Sequence, residues 1–384
     1  MSTLTYTAPF PSADVEVVGA LDLAPGRYGV RPRRLPEWTR RQIPDPGFDF
    51  VVGMTSGVRV ATSTTARAIA VELVVIGIAP GAPAIVELVV DGERRGSASV
   101  PVEAQTLVAA DGALTQERPP VTVSFALPAP GRGAHAVEVW LPHTTAVELV
   151  ALRADAPLAP PLDARPVWLH HGSSISQCGE ASAPTRTWPA VAAAAGAVSL
   201  RSLGFSGNAV GDPFVARTIR DHPADAISIE IGVNVVNGDL LRRRAFEPAL
   251  HGVLDTIREG HPRTPLVVIG PIPCPSLEQM PGPTTIDPVT GQAVSAGDAR
   301  ELARGAMSLA IVRKAWRNVL AARADDPRLF WLDGRALLPD SEIGDLDDGL
   351  HPNAAAYERM GARFADYAFA PNGPFAAVVR EHEV

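Results

Sequence analysis

Residues of the types used in acyl transfer occur in short polar segments of this sequence. The segment HGSSIS, residues 171–176, contains three serines directly after an apolar run, and DDGLHPN near the C-terminus contains Asp348 and His351. A serine nucleophile needs a histidine to take its proton and a carboxylate to hold the imidazole in the right tautomer. Asp348 and His351 are three residues apart, so one can orient the other at low conformational cost. The two segments predict nucleophilic chemistry at one of the three serines, or a simple strand-to-helix connection.

Acyl transfer also needs hydrogen-bond donors aimed at the oxyanion that develops in the transition state. Gly207, in SGN, can bring a bare backbone amide close, and Asn234, in GVN, can supply a side-chain amide. The backbone amide of Ser174 would be a third donor. Alone, Gly207 and Asn234 are ordinary turn residues, so their interpretation depends on the elements that carry them.

The elements from Val167 onward alternate between strand and helix. This alternation predicts a parallel sheet covered on both faces, and active sites in such sheets form at the carboxyl ends of the strands. The polar segments follow those ends. The predicted strands are VWLH, VSLRSL, AISIEIG, PLVVIG and LFWLDG, and the predicted helices lie near 188–195, 213–220, 244–259, 298–324 and 354–367.

The first part of the chain has a different pattern. Short runs rich in Val, Ile and Thr are separated by turn residues, with Asp91-Gly92 as a hairpin signal, which predicts an antiparallel β-sandwich. A proline-rich stretch, residues 154–166, then predicts a domain boundary. We expect an all-β sandwich, jelly-roll-like, over residues 1–160 and an α/β domain over residues 161–384.

In order and position, four segments of this sequence resemble the SGNH hydrolases of the GDSL esterase/lipase superfamily. The matching segments are GSSIS (172–176), SGN (206–208), GVN (232–234) and DGLH (348–351), within a resemblance that covers about residues 167–367. It implies a three-layer α/β/α (flavodoxin-like) hydrolase domain with Ser174 as nucleophile, His351 as base and Asp348 as its orienting acid. It also implies an oxyanion hole formed by Ser174, Gly207 and Asn234.

The sequence departs from this family at one position. Members usually carry Asp immediately before the nucleophile, where this chain has Ser173. Ser173 and Ser176 are interpreted as loop or cap serines, because serine is favoured at helix starts. The nucleophile elbow G-x-S-x-G of the larger α/β-hydrolases does not fit, because the residue two after Ser174 is Ser176.

Composition excludes several other functions. The net charge of −8 offers no basic face for nucleic acid or anionic lipid, and no apolar stretch reaches membrane-spanning length. His170 and His171 are adjacent on a strand and point to opposite faces, which disfavours a metal pair. No metal or organic cofactor is expected, and the absence of a signal-like N-terminus predicts a cytoplasmic protein.

Substrate contacts are predicted for three residues on the active-site side of the sheet, His171, Cys274 and Glu278. The proline-rich segment 275–299 has no periodicity, and we expect it to cover the ester site as a binding loop or lid. Cys178 also lies on this side, and its pairing with Cys274 stays open because a disulfide needs Cα atoms within about 7 Å.

The function expected from these features is that of a serine esterase for short acyl esters. A sandwich before an SGNH domain resembles the arrangement in certain bacterial carbohydrate deacetylases, which favours an O-acetylated sugar or sugar-bearing metabolite as the partner small molecule. The alternatives are short-chain esters of other alcohols, an acyltransferase using the same acyl-enzyme, and a sugar-binding protein without catalysis.

Overall fold

The computed structural model describes residues 4–130, 133–161 and 163–380. These residues form two compact units. The first unit ends at Ala164 and also includes Ala183–Thr185, and the second begins at Arg165 and resumes at Arg186. Among the described residues, no helix is long and apolar enough to cross a membrane.

The first unit is built from two mostly antiparallel sheets. The larger has the strand order β10-β9-β6-β13-β4-β3, with β1 on β13 and β11 on β6, and the smaller has the order β14-β5-β12-β7-β8, with β2 on β5. The strands are β1 Tyr6–Pro9, β2 Glu16–Val18, β3 Asp22–Pro25, β4 Val30–Arg33, β5 Arg59–Thr64, β6 Ala68–Ile78, β7 Ala84–Val90, β8 Glu93–Val100, β9 Thr106–Val108, β10 Leu114–Gln116, β11 Val121–Ala126, β12 His135–Trp140, β13 Ala146–Ala154 and β14 Leu158–Ala159, and one helix, α1, spans Pro46–Gly53.

One apolar core lies between these two sheets. Alternate residues of β6, Ile69, Val71, Leu73 and Val75, join it from the larger sheet, and residues of β5, β7 and β12 join it from the smaller. This alternation is the period of two that strands impose, and it makes the unit the all-β domain predicted from the sequence.

The second unit contains a parallel sheet with the strand order β16-β15-β17-β18-β21 and helices between the strands. Its strands are buried along their whole length except in part of β15, β16 and β21, as expected for a sheet covered on both faces. The elements are β15 Val167–Gly172, α2 Ser174–Gln177, α3 Trp188–Ala195, β16 Ser199–Gly204, α4 Pro213–Asp221, β17 Ala226–Glu230, α5 Val233–Asn237, α6 Arg243–Gly260, β18 Leu266–Ile269, the hairpin strands β19 Thr284–Ile286 and β20 Ala293–Ser295, α7 Leu309–Ala321, β21 Leu329–Leu332, α8 Ala354–Ala368 and α9 Ala376–Arg380. The predicted α/β/α fold is confirmed.

One predicted helix is shorter than expected. The sequence pattern predicted a helix over residues 298–324, whereas residues 299–304 form a 3₁₀ helix that ends at Gly305 in the left-handed region, with φ of 93°. A new helix, α7, then begins after Ser308, whose hydroxyl accepts a hydrogen bond from the backbone of Ile311. The glycine conformation and the serine cap split the segment because each is a helix-terminating feature.

Candidate active site

Three polar side chains from distant parts of the sequence meet at the carboxyl edge of the parallel sheet. The Oγ of Ser174 lies 2.9 Å from Nε2 of His351, and Nδ1 of the same ring lies 2.7 Å from Oδ2 of Asp348. Nδ1 donates to the carboxylate, so Nε2 of the neutral ring is the acceptor for the Ser174 hydroxyl. The arrangement can remove a proton from Ser174 as its oxygen attacks a carbonyl carbon.

Asp348 is held by the turn that it starts. Its Oδ1 accepts the backbone N–H groups of Leu350, at 2.9 Å, and of His351, at 2.7 Å. Partial desolvation acts to raise the pKa of Asp348, but the hydrogen bonds from the backbone and ring of His351 and from Leu350 keep it below its usual value. The carboxylate therefore stays ionised at neutral pH, as is needed to stabilise a developing imidazolium.

The same turn is fixed from behind by two neighbouring segments. Ala293, in β20, donates its backbone N–H to the carbonyl of Asp348 at 2.6 Å, and the side-chain amide of Gln292 donates to the carbonyl of Asp347 at 2.8 Å. The thiol of Cys274 donates to the carbonyl of Gly349 at 3.2 Å. The backbone that carries the acid and the base is thus bonded to the segment expected to be a lid.

That segment, residues 275–299, contains regular secondary structure, although its sequence shows no periodicity. It contains a short 3₁₀ helix, Pro275–Leu277, and the antiparallel hairpin β19–β20, whose base is closed by a hydrogen bond from the backbone of Ala296 to that of Pro283. Covering of the ester site by this segment stays a prediction.

The candidate oxyanion donors follow β15, β16 and β17. Asn234 is 3% exposed, and its Oδ1 accepts the backbone N–H of Ala209 at 2.9 Å, which leaves its NH₂ group to donate elsewhere. Gly207 is exposed, with φ of 74°, and a Cβ atom at this position would meet no atom within 4 Å. It needs glycine for its backbone conformation rather than for space. Together with the N–H of Ser174, these groups supply the donor types that an oxyanion requires.

The nucleophile turn packs against the next strand at van der Waals limits. A Cβ atom on Gly204, the last residue of β16, would lie 2.7 Å from the backbone N of Gln177 in α2. The side chain of Gln177 accepts the backbone N–H of Ser206, so α2 also holds the segment that carries Gly207. Glycine at residue 204 therefore permits the close approach that brings two of the candidate donors together.

Two of the residues predicted to contact substrate have little or no exposed surface. His171 is 2% exposed, its Nδ1 donates to the carbonyl of Leu203, and its ring lies against Phe205, because helices cover both faces of the sheet. Cys274 is fully buried beneath the catalytic turn. Glu278 pairs with Arg313, and nothing in this arrangement tests its predicted contact with substrate.

The remaining polar groups near the nucleophile are structural. His170 bridges the hydroxyls of Ser228 and Ser176, at 2.7 and 2.8 Å, and burial lowers the pKa of this ring to about 3. The ring is therefore neutral. Cys178 and Cys274 are both free thiols. No group of metal-ligating side chains occurs within residues 4–130, 133–161 and 163–380.

Sequence reasoning overlooked Glu230, the last residue of β17. Its Oε2 accepts the backbone N–H of Ser173 at 2.9 Å, directly before the nucleophile. The available signal was a carboxylate at the end of a mostly apolar strand, AISIE, next to the block that contains Asn234.

Known proteins share this architecture. Residues 171–359 match the GDSL-like lipase/acylhydrolase family, and no curated protein matches the chain. A salicylyl acyltransferase, SsfX3, from a tetracycline biosynthetic pathway is 26% identical, with a TM-score of 0.76 over 94% of this chain and 95% of that chain. A family two carbohydrate esterase from Cellvibrio japonicus is 13% identical, with a TM-score of 0.58 over 99% of both chains. An acetyl xylan esterase, Est2A, from the rumen bacterium Butyrivibrio proteoclasticus is 12% identical, with a TM-score of 0.56 over 96% of this chain and 100% of that chain.

The α/β unit thus has the fold of the SGNH hydrolases, as the four sequence segments predicted. Within that class, residues 171–359 belong to the GDSL-like lipase/acylhydrolase family.

Proposed function

We propose that this protein forms an acyl-enzyme at Ser174 and hydrolyses short acyl esters, with an O-acetylated sugar or sugar-bearing metabolite as its substrate. The observation that carries the proposal is the continuous hydrogen-bonded series from Ser174 Oγ through the His351 ring to Asp348, with separations of 2.9 and 2.7 Å. These separations fall within the range expected for a nucleophile, its base and the group that orients the base.

The proposed reaction has two stages. In the first, Ser174 Oγ attacks the acyl carbon while His351 Nε2 takes the hydroxyl proton. The same nitrogen then gives this proton to the departing alcohol oxygen. In the second, water attacks the acyl-enzyme, His351 takes a proton from that water, and the proton returns to Ser174 as the acid leaves. In both stages the oxyanion receives hydrogen bonds from the Ser174 and Gly207 backbone and the Asn234 side chain.

An acyltransferase is the second candidate, because the similarity to the salicylyl acyltransferase is 26% identity across 94% of this chain. The same acyl-enzyme would then be released by an alcohol acceptor in place of water. The carbohydrate and acetyl xylan esterases support the sugar ester through their fold alone. Short-chain esters of other alcohols use the same chemistry and differ only in the leaving group.

Turnover of p-nitrophenyl acetate by the wild type, Ser174→Ala and Asp348→Asn tests the chemistry. We expect loss of burst and turnover in Ser174→Ala, and a fall in kcat of about 10³- to 10⁴-fold in Asp348→Asn, because the asparagine amide favours the wrong imidazole tautomer. Turnover that does not depend on Ser174 would contradict the proposed acyl-enzyme. No turnover at all would contradict the esterase and favour a binding protein.

Two further measurements separate the substrates and the acceptors. Acetate release from acetylated monosaccharides, compared with alkyl acetates of equal size, tests the sugar preference. Adding primary alcohols or phenols and measuring the ratio of new ester to free acid tests transfer, which is supported if the acceptor outcompetes 55 M water at millimolar concentration.

We also propose that residues 1–160 act as an accessory carbohydrate-recognition domain. Calorimetric titration of full-length Ser174→Ala with oligosaccharides tests this role without turnover. Absence of binding to any acetylated or free oligosaccharide would contradict it.

A further inference from the structure

The carboxylate of Glu230 is buried in the second unit without a cation. The residue is 5% exposed and ends β17, and among the described residues its charge has no salt-bridge partner. Its Oε2 accepts the backbone N–H of Ser173 at 2.9 Å, whereas Oε1 is buried with no partner in the described chain. A carboxylate in such surroundings is costly, so its retention calls for a physical reason.

The bonds of Glu230 lead to both sides of the nucleophile. Ser173 caps α2, and its hydroxyl oxygen accepts the backbone N–H of Ile175 at 3.2 Å. Glu230 therefore holds the backbone of the residue before Ser174, and the hydroxyl of that residue holds the backbone of the residue after Ser174. Ser174 itself is not among the groups that Glu230 contacts, so Glu230 takes no part in bond breaking.

The backbone of Glu230 leads to the second oxyanion donor. Asn234 lies four positions after Glu230, on the short helix α5 that follows β17. A displacement of Glu230 would thus change the position of the Ser174 amide relative to the Asn234 amide. An error of about 1 Å in such positions costs on the order of 10²-fold in rate.

Little room for solvent is left beside this carboxylate. The cavity beside it, lined by Glu230, Ser176 and apolar residues that include Val233, Ile269 and Leu337, has a volume of about 10 Å³. That is room for about one water molecule. Burial raises the pKa of Glu230, and hydrogen bonding from Ser173 acts against this change.

We propose that Glu230 is a positioning residue, which fixes the Ser174 turn against the strand leading to Asn234 and which, paired with Ser173, supplies the carboxylate that the preceding position lacks. This inference rests on the proposed acyl-enzyme function. An aspartate at residue 173 would place a second carboxylate against Oε2, so the structure accommodates one carboxylate at this point and not two.

The test exchanges the two positions in the full-length protein. We expect Glu230→Ala to lower kcat for p-nitrophenyl acetate about 10- to 100-fold with KM changed less than threefold, and Glu230→Gln, which keeps an acceptor oxygen, to stay within about tenfold of wild type. Ser173→Asp should lower kcat in the wild-type background and raise it at least tenfold in the Glu230→Ala background. If the Glu230 carboxylate were purely structural, the effect of Ser173→Asp on kcat would not change from a decrease to an increase between the two backgrounds.

The labelling rate of Ser174 by a fluorophosphonate gives a second readout that does not need the natural substrate. The same order of variants is expected, with Ser174→Ala as the unlabelled control and circular dichroism to verify folding. The proposal is overturned if folded Glu230→Ala keeps kcat and labelling within threefold of wild type. It is also overturned if Ser173→Asp is equally harmful in both backgrounds, or, should Glu230→Ala not fold, if Glu230→Gln labels more than 100-fold slower than wild type. Failure of the proposed function would give a different result: the wild type would show no more labelling and no more turnover than Ser174→Ala.

Discussion

The two ends of the Asn234 carboxamide are expected to have separate roles, and one pair of substitutions distinguishes them. Oδ1 accepts the N–H of Ala209, a residue with no exposed surface, whereas the NH₂ group is the proposed donor to the oxyanion. Asn234→Asp keeps the acceptor and removes the donor. Asn234→Ala removes both.

The expected magnitudes follow from these contacts. Losing one oxyanion donor costs about 10²- to 10³-fold in kcat, or about 3–4 kcal/mol, and Asn234→Asp should reach or exceed that range because it also adds negative charge beside the oxyanion. Asn234→Asp keeps the acceptor for Ala209 but buries a carboxylate at a site that is 3% exposed, so its stability should also fall, and more at pH 8 than at pH 5. Asn234→Ala should lower kcat similarly and also lower the free energy of unfolding by about 1–3 kcal/mol, because the buried Ala209 N–H loses its partner.

The assays are initial rates with p-nitrophenyl acetate and urea unfolding followed by the fluorescence of Trp168, Trp188 and Trp316, which are buried in the α/β unit. KM should change little for both variants, since the donor acts in the transition state. The reasoning is refuted if either variant keeps kcat within threefold of wild type, or if Asn234→Ala is as stable as wild type.

Three further outcomes are expected. Burial lowers the pKa of His170 to about 3 and of His171 to about 4, from 6.5, so below pH 6.5 the unfolded chain binds more protons than the folded chain. The two rings should therefore lower stability by about 4 kcal/mol from pH 7 to pH 5, and Asp212, whose pKa burial raises to about 6, should offset about 1 kcal/mol of this loss. Urea titrations should show a net fall over this range, and a flat profile would count against it. Gly204→Ala should lower the free energy of unfolding by about 1–3 kcal/mol and slow turnover, whereas Gly179→Ala, where a Cβ meets open space, should do neither. Equal melting temperatures for the two variants would contradict the close packing at Gly204. Replacing residues 284–295 by a short Gly-Ser linker should lower kcat about tenfold and change substrate range, because the turn that carries Asp348 loses its hydrogen bond from Ala293. Unchanged kcat, KM and substrate range would show that this segment neither supports the turn nor covers the site.

The amino-acid sequence contained most of the information about the fold and the triad. Alternating strands and helices imply a parallel sheet, and its carboxyl ends meet at one edge whatever the details of packing. For this reason the sequence alone predicts one site that contains Ser174, Asp348 and His351, although Ser174 and His351 are 177 positions apart. The division between an all-β and an α/β part was visible because strand and helix periodicities differ.

The tertiary structure decided where individual side chains lie. His170 and His171 point to opposite faces of β15, as strand geometry requires, yet both are buried because helices cover both faces. Cys274 has no exposed surface, and its thiol donates to the carbonyl of Gly349, between Asp348 and His351. Glu230 and Ser173 are 57 residues apart, and no local pattern links them. Their contact arises only when β15 and β17 become neighbours, because pairing partners in a sheet depend on packing of the whole domain and not on the sequence near either residue.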